Sequence, residues 1–366
     1  GRCMSANAHF HELKVQRVCP EAGRAVVISL TVPESQRSNF EFTPGQFVTL
    51  KSKVHGQEVR RSYSICSTPQ HFHKTGEIDI GVRQVDGGVF STWANESLRA
   101  GDVLSVMPPD GRFVSKRPRA LHRVGFAAGS GITPILSIMK HTLETQADCK
   151  FSLVYGNQNM SNVMFNETLQ DLKDRYPERV TLVHVLSRQS QEVDLLEGRI
   201  DQAKVQRLLN TLLPVKSLDE VFVCGPEGMI ESTCKALLEA GVPEERVHAE
   251  RFASGSVPTA VKGTPSSPSS STTGSVQLTL VMDGKQHALR MNPEEHILDV
   301  ALAAGLDLPY SCRGGVCCTC RAKVMDGSVS MDKNFTLEKW ETDKGFVLSC
   351  QSKPTSPRVT LSFDER

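Results

Sequence analysis

The stretch Cys312-Arg313-Gly314-Gly315-Val316-Cys317-Cys318-Thr319-Cys320 carries the strongest chemical signal in the chain. Three of its thiols have the spacing Cys-x4-Cys-x2-Cys, and Cys350 supplies a fourth thiol from a distant segment. Four thiolates in this arrangement are typical of a [2Fe–2S] cluster. Zinc is the alternative, although structural zinc sites usually use two Cys-x2–4-Cys pairs and only one such pair occurs here. We therefore predict that Cys312, Cys317, Cys320 and Cys350 bind the cluster, and that Cys318 does not.

The composition of the chain changes three times along its length. Residues 254–274 are rich in Ser, Thr, Pro and Gly, so we predict a flexible linker between the front part and a C-terminal module at 275–366. Residues 8–118 show short, alternating apolar runs broken by turn residues, which predicts an antiparallel β-sheet or barrel. Residues 119–253 alternate apolar strands with helical patterns, which predicts a doubly wound α/β unit with a parallel sheet. The chain is therefore predicted to be multidomain.

The overall composition excludes some classes of partner. The chain has 366 residues, with 42 Lys and Arg against 41 Asp and Glu, so its formal net charge is only +1. Such a balance gives no basic field for nucleic acid or for an anionic membrane. The sequence has no long apolar run of the kind that spans a bilayer and no apolar core of a signal peptide near its start, so we expect a cytoplasmic protein. The chain has 11 cysteines, an odd number that fits metal chemistry in a reducing compartment better than a disulfide framework.

The ends of the predicted parallel strands carry candidate nucleotide-binding residues, because ligands of such sheets bind at the carboxyl ends of the strands. Gly129-Ser130-Gly131-Ile132-Thr133-Pro134 follows the first strand. Its glycines allow backbone N–H groups to approach a pyrophosphate, Thr133 is expected to cap the next helix, and Pro134 suits the first helical turn. Pro134 replaces the third glycine of the G-x-G-x-x-G fingerprint, so a plain tight turn is an alternative.

Two later strands end in residues that suit the other parts of a nicotinamide dinucleotide. Ser187 and Arg188 follow the third strand, where an Arg accommodates a 2′-phosphate and so favours NADPH over NADH, unless Arg188 is simply a solvated surface residue. Cys224, Gly225 and Pro226 follow the fourth strand, and these small residues would let a nicotinamide ring pass close to the backbone. A buried, purely structural role is the alternative for Cys224.

The predicted barrel contains two further clusters. Arg61, Ser62, Tyr63 and Ser64 combine a cation for phosphate, an aromatic plane for stacking and hydroxyls for hydrogen bonding. A glycine turn then leads into a short helix, whose free N–H groups can bind phosphate. The candidates in this turn are Gly87, Gly88, Val89 and Ser91.

Taken in order, these clusters and the intervening Gly111-Arg112-Phe113 resemble the ferredoxin–NADP reductase superfamily over about residues 13–252. The resemblance implies that Arg61 holds the FAD pyrophosphate, Tyr63 lies against the isoalloxazine ring, and Ser64 hydrogen-bonds near its redox-active nitrogen. It also places Phe252 near the flavin. Further residues are implied at the FAD pyrophosphate (Gly87, Gly88, Ser91) and along the nicotinamide path (Gly131, Thr133, Cys224, Gly225).

The C-terminal module resembles plant-type ferredoxins over residues 276–363, which implies an α+β, β-grasp fold. A ferredoxin after the reductase is the arrangement of oxygenase reductases, and the sequence around the cysteines is most similar to reductase subunits of phenylacetyl-CoA epoxidases. The resemblance implies electron flow from NADPH through FAD and [2Fe–2S] to a terminal di-iron oxygenase. The cofactors do the chemistry, while Tyr63, Ser64, Cys224 and Glu250 position and tune them.

Three alternatives to this function remain open. The similar reductases of ketosteroid hydroxylases serve Rieske oxygenases. A redox sensor would bind the same cofactors in order to signal, but the sequence shows no basic helix or second interaction domain that would pass the signal on. An electron-transfer subunit of a dehydrogenase is the third alternative.

Overall fold

The computed structural model describes residues 9–253 and 274–365. The predicted linker, apart from Gly274, lies outside the described residues. Three units follow one another along the chain, each with its own sheet and its own buried apolar residues, which form one cluster in the first unit, two in the second and one in the third. None of the helices in the described ranges is long and apolar enough to cross a membrane.

The first unit is a six-stranded sheet in which every neighbouring pair is antiparallel. A bridge between Ile65 and Ile80 joins its two edges and closes a barrel. Alternate residues such as Val15, Ile28 and Leu50 fill the interior. The strands are β1 (His11–Glu21), β2 (Ala25–Thr31), β3 (Phe47–Val54), β4 (Gln57–Ser64), β5 (Glu77–Arg83) and β6 (Val103–Val106), in the order β4-β3-β6-β1-β2-β5, and the helices are α1 (Pro69–Thr75) and α2 (Val89–Glu96). The predicted antiparallel barrel is confirmed.

The second unit is a parallel sheet of five strands with helices on both faces, as predicted. Its strands are β7 (His122–Ala128), β8 (Lys150–Asn157), β9 (Val180–Leu186), β10 (Glu220–Cys224) and β11 (Val247–Glu250), in the order β11-β10-β7-β8-β9. Its helices are α3 (Ile132–Thr145), α4 (Asn166–Arg175), α5 (Gln202–Thr211) and α6 (Glu227–Glu239). The short edge strand β11 was not among the strands that the apolar pattern predicts, because all four of its residues are only partly buried.

The third unit has a mixed sheet, in which β12 and β18 run parallel and the other pairs are antiparallel. This sheet consists of β12 (Val276–Met282), β13 (Lys285–Met291), β14 (Arg321–Asp326), β16 (Phe346–Leu348) and β18 (Arg358–Ser362). A second pair joins β15 (Val329–Met331) to β17 (Ser352–Pro354), and the helices are α7 (Ile297–Ala303) and α8 (Lys339–Asp343). Helices packed on a mixed sheet give the predicted α+β fold.

Short 3₁₀ helices connect several of these elements. Two of them adjoin the candidate site, at Gly129–Gly131 before α3 and at Ser349–Gln351 after β16. The others are Glu34–Phe40, Met160–Asn162, Asp194–Leu196, Val215–Ser217 and Glu244–Arg246.

Candidate redox site

One cavity of about 290 Å³ is formed jointly by the three units. The barrel provides most of its wall, the second unit contributes Ser130 from the 3₁₀ turn before α3 and Thr133 from the first turn of α3, and the third unit contributes Ser311, Cys312, Val316 and Cys317. All of the residues predicted to bind FAD line this single cavity: Arg61, Ser62, Tyr63, Ser64, Gly87, Gly88, Val89, Ser91 and Phe252. Residues far apart in sequence therefore meet at the place that the predicted flavin would occupy.

Strand β4 presents a ring and a hydroxyl to the cavity. Tyr63 packs on Phe90 with ring centroids 5.6 Å apart, and burial raises its pKa, so its hydroxyl is neutral at physiological pH. Ser64 is 3% exposed, and its Oγ has no hydrogen-bond partner among the described residues. A buried hydroxyl without a partner is costly, so this atom fits a ligand that would accept or donate a hydrogen bond there. The Tyr63 ring and the unpartnered Ser64 hydroxyl therefore fit a flavin, which offers a flat ring for packing and polar atoms for hydrogen bonding.

The loop before α2 is shaped for close approach to a phosphate. Gly87 has a φ of 73°, a left-handed conformation that favours glycine, and Gly88 precedes the first residue of the helix. Ser91 is buried, and its Oγ accepts a hydrogen bond from Val85 N at 3.0 Å, which fixes the loop. The first N–H groups of a helix lack intrahelical partners, so the loop offers backbone donors to an anion.

Four arginines line this cavity, Arg60, Arg61, Arg83 and Arg251, and two of them bear on the predicted phosphate site. Arg61, which was predicted, donates from Nη1 to Arg60 O at 2.7 Å. Arg83 was missed, and its Nη1 lies so near Gly129 that a Cβ on that glycine would be 2.7 Å away. Its position at the end of the alternating strand β5, shortly before Gly87, is the signal that could have identified it.

The carboxyl ends of β7 and β10 meet at Gly131. A Cβ on this glycine would lie 2.2 Å from Cys224 O, so glycine is required for the two strand ends to approach. Cys224 is fully buried, and burial raises the pKa of its thiol. The predicted cap at Thr133 is wrong, because α3 begins at Ile132 and Thr133 Oγ1 donates to Ser130 O at 3.1 Å from inside the first turn.

The predicted nicotinamide residues divide into three groups. Thr133 lines the cavity. The strand ends beside it carry Gly129, Gly131, Pro134, Cys224, Gly225 and Pro226, none of which forms its wall. Ser187 and Arg188 follow β9 at the edge of the sheet, where Arg188 is exposed, and they do not line this cavity.

Glu250 ends β11 and lies in the cavity wall between the barrel and the third unit. Burial raises its pKa to about 8, against the opposing effect of the Arg112 guanidinium. The carboxyl group is therefore mostly protonated at pH 7. The next residue, Arg251, donates from Nε to both carboxylate oxygens of Glu227 at 3.0 and 2.9 Å, which anchors the chain leading to Phe252.

The four predicted cluster cysteines approach one another as two pairs. The pKa of Cys312 falls to about 6, chiefly through its contact with the Cys317 thiol, and that of Cys350 falls chiefly through its contact with the Cys320 thiol. Backbone N–H groups of Gly314 and Cys317 also point at Cys312 Sγ, at 3.3 and 3.4 Å. Two pairs of thiols, each suited to one iron, with N–H donors around the sulfurs, fit a [2Fe–2S] cluster.

Comparisons with known proteins agree with this arrangement. The oxidoreductase FAD-binding domain family matches residues 15–114, the oxidoreductase NAD-binding domain family matches residues 126–235, and the 2Fe-2S iron-sulfur cluster binding domain family matches residues 280–355. One component of the 1,2-phenylacetyl-CoA epoxidase from Escherichia coli (strain K12) is 41% identical over 361 residues, which is 98% of each chain. The ferredoxin reductase component of 3-ketosteroid-9-alpha-monooxygenase from Rhodococcus rhodochrous is 32% identical over 96% of each chain.

A solved structure shares the order of the three units. Phthalate dioxygenase reductase, described as a modular structure for electron transfer from pyridine nucleotides to [2Fe–2S], aligns with a TM-score of 0.56 over 97% of this chain and 98% of that chain. Its 21% identity supports the fold alone. The fold, the three matched domains and the 41% identity over nearly the whole length together show that this chain belongs to the ferredoxin–NADP reductase superfamily, as an NAD(P)H-dependent oxidoreductase with FAD and [2Fe–2S] domains.

Proposed function

We propose that this protein is the reductase component of a multicomponent oxygenase, and that it delivers electrons from NADPH to a terminal di-iron oxygenase of the phenylacetyl-CoA epoxidase kind. The observation that carries the proposal is the shared cavity, in whose wall the flavin residues of β4 and the cluster ligands Cys312 and Cys317 lie together. The 41% identity to a component of a phenylacetyl-CoA epoxidase supports the choice of partner.

The cofactors supply the electron chemistry: the nicotinamide donates a hydride, the flavin exchanges electrons in pairs or singly, and the cluster carries one electron at a time. The side chains bind and orient them. Ser64 Oγ would bond the flavin near its redox-active nitrogen, Tyr63 would pack against the ring, and Phe252 would cover it. Arg61 and Arg83, with the N–H groups after Gly88, would neutralise the pyrophosphate.

The nicotinamide dinucleotide is proposed to cross the carboxyl ends of the parallel strands. Thr133 and the strand ends at Gly131 and Gly225 would border its path, with Gly129, Pro134, Cys224 and Pro226 shaping the same edge. We propose that Ser187 and Arg188 hold the adenosine ribose and its 2′-phosphate. Arg188 is exposed and so is accessible to a 2′-phosphate; on this basis NADPH is the proposed coenzyme and NADH the alternative.

The units are proposed to divide at residues 8–118, 119–253 and 275–366, with 254–274 as the linker. A Rieske-type oxygenase is the second candidate partner, because 3-ketosteroid-9-alpha-monooxygenase reductase components are 32–33% identical to this chain.

The test is reconstitution of the holoprotein with each type of oxygenase. With NADPH, the di-iron epoxidase component should consume reducing equivalents in step with epoxide formation, whereas a Rieske oxygenase should not turn over. Cys350→Ser, which removes one cluster ligand, should stop delivery but leave reduction of FAD by NADPH intact. Turnover of the Rieske component alone would reverse the choice of partner, and turnover of neither would refute the proposal.

A further inference from the structure

A buried ion pair joins the barrel to the third unit, away from the wall of the shared cavity. Glu341 on α8 is wholly buried, and its carboxylate accepts from Arg112 Nη2 at 2.7 Å and from Arg112 Nε at 3.2 Å. Arg321 pairs with the same carboxylate from within the third unit. Arg112 belongs to the segment that follows β6 in the barrel, and only 18% of its side chain is exposed. The Arg112–Glu341 contact is therefore a bidentate, desolvated bond between two units.

The Arg112 guanidinium also reaches the cluster loop. Its Nη1 donates to Asp110 Oδ1 at 2.6 Å, which fixes it to the barrel, and to Cys318 Sγ at 3.0 Å. Cys318 lies between the ligands Cys317 and Cys320 and is 1% exposed. One side chain thus connects the barrel, α8 and the loop that carries three of the four thiols.

A chain of hydroxyl groups supports the same arrangement nearer the cavity. Ser62, which lies between Arg61 and Tyr63 on β4, donates to Ser311 Oγ at 2.8 Å and contacts Thr49 Oγ1 at 2.9 Å. Thr49 Oγ1 in turn lies 3.1 Å from Thr319 Oγ1. Ser311 immediately precedes Cys312, and Thr319 immediately precedes Cys320. Both ends of the cluster loop are therefore bonded to the barrel.

Loss of the Arg112–Glu341 ion pair should weaken the contact between the barrel and the third unit. Loss of Arg112 leaves the buried Glu341 carboxylate with one cationic partner, Arg321, instead of two, and it removes two charge-assisted hydrogen bonds between the units, each of which contributes more than a neutral hydrogen bond. Loss of the Arg112 side chain should therefore disfavour the docked arrangement by about 10- to 100-fold.

We propose that Arg112 and Glu341 are positioning residues, which hold the third unit against the flavin cavity in the arrangement that serves electron transfer from FAD to the cluster. The inference rests on the proposed function for the identity of the two sites. It goes further in assigning a docking role to this ion pair, which acts beside the contacts of Lys116 with Glu338 and of Arg60 with Asp307 between the same units. The rate of electron transfer between two centres falls steeply as the distance between them grows. Undocking would therefore slow electron transfer from FAD to the cluster and leave the preceding hydride transfer from NADPH to FAD unchanged.

The experiment compares Arg112→Ala with wild-type holoprotein by two readouts. Anaerobic stopped-flow mixing with NADPH follows flavin bleaching and then cluster reduction. Hydrogen exchange follows the amides of residues 310–320 and 338–345. We expect flavin bleaching and iron content to stay at the wild-type values, cluster reduction to slow by about tenfold or more, and exchange in both segments to rise. Lys339→Ala is the matched control, because Lys339 is on the same helix and is exposed, and its ion pair with Asp343 stays within α8.

Two additional variants keep the test decisive if Arg112→Ala folds poorly. Glu341→Gln keeps the size of the side chain and an oxygen that can accept from Glu338 N, so α8 should remain formed while the ion pair is lost. Arg112→Lys keeps the charge but not the two parallel bonds, and should show an intermediate effect. Wild-type rates of cluster reduction or wild-type exchange in Glu341→Gln would overturn the inference. Failure of NADPH to reduce the cluster in the wild type would instead overturn the proposed function, and the exchange data alone would then decide the docking role.

Discussion

Replacement of Ser64 by alanine should have opposite effects on the apoprotein and on flavin binding. The hydroxyl is buried at the cavity wall without a partner among the described residues, so the apoprotein bears a desolvation cost of about 1–3 kcal/mol. Ser64→Ala removes that cost and should raise the free energy of unfolding of the apoprotein by about 1 kcal/mol. The same change removes a hydrogen bond of about 0.5–1.5 kcal/mol to the flavin, so FAD should bind about 2- to 10-fold more weakly.

The assay pairs urea unfolding of the apoprotein with fluorescence titration of FAD. Ser137→Ala is the control, because Ser137 Oγ is equally buried but donates to Ser67 O at 2.7 Å. This control should lose about 1 kcal/mol of stability and keep its FAD affinity. If Ser64→Ala instead destabilises the apoprotein and leaves FAD affinity unchanged, the reasoning about the unpartnered hydroxyl is wrong.

Three other residues give predictions of different kinds. Gly131→Ala places a methyl group 2.2 Å from the backbone oxygen of Cys224, so the free energy of unfolding should fall by about 1–3 kcal/mol in denaturant titrations, and an unchanged value would contradict the close approach. Glu250 has a pKa raised to about 8 by burial, so it gains a negative charge as the pH rises through that value. The rate of flavin reduction by NADPH should therefore fall as the pH rises through about 8. This pH dependence should be absent in Glu250→Gln. If it persists in that variant, the Glu250 carboxyl is not its source. Arg188→Ala should weaken the binding of NADPH far more than the binding of NADH in titrations. Equal losses of affinity for the two coenzymes would show that Arg188 does not bind the 2′-phosphate.

The sequence was most informative where the chemistry is local. The cysteine spacing identified four thiols that the structure pairs, and the residues of β4 and of the loop before α2 were all found in one cavity. The residues of each barrel cluster, and three of the four thiols, lie within a few residues of one another along the chain, so side-chain type and spacing suffice to describe them.

What the sequence could not provide depends on contacts between distant segments. Arg83 reaches the cavity only because β5 ends beside the start of α3, and Glu341 meets Arg112 only because the third unit docks on the barrel. The expected cap at Thr133 failed for a related reason: the preceding 3₁₀ turn at Gly129–Gly131 already begins the helical winding, so Thr133 lies inside the helix. The edge strand β11 was not predicted because its four residues are all partly buried, and its sequence shows no clear alternation of apolar and polar residues.

The most direct test of the relay is an anaerobic titration of the reconstituted holoprotein with NADPH, followed by absorption and by electron paramagnetic resonance. If FAD and the cluster share one cavity wall, flavin bleaching should be accompanied by the rhombic signal of a reduced [2Fe–2S] cluster at stoichiometric coenzyme. Bleaching of the flavin in iron-replete protein without that signal would contradict electron transfer between the two sites.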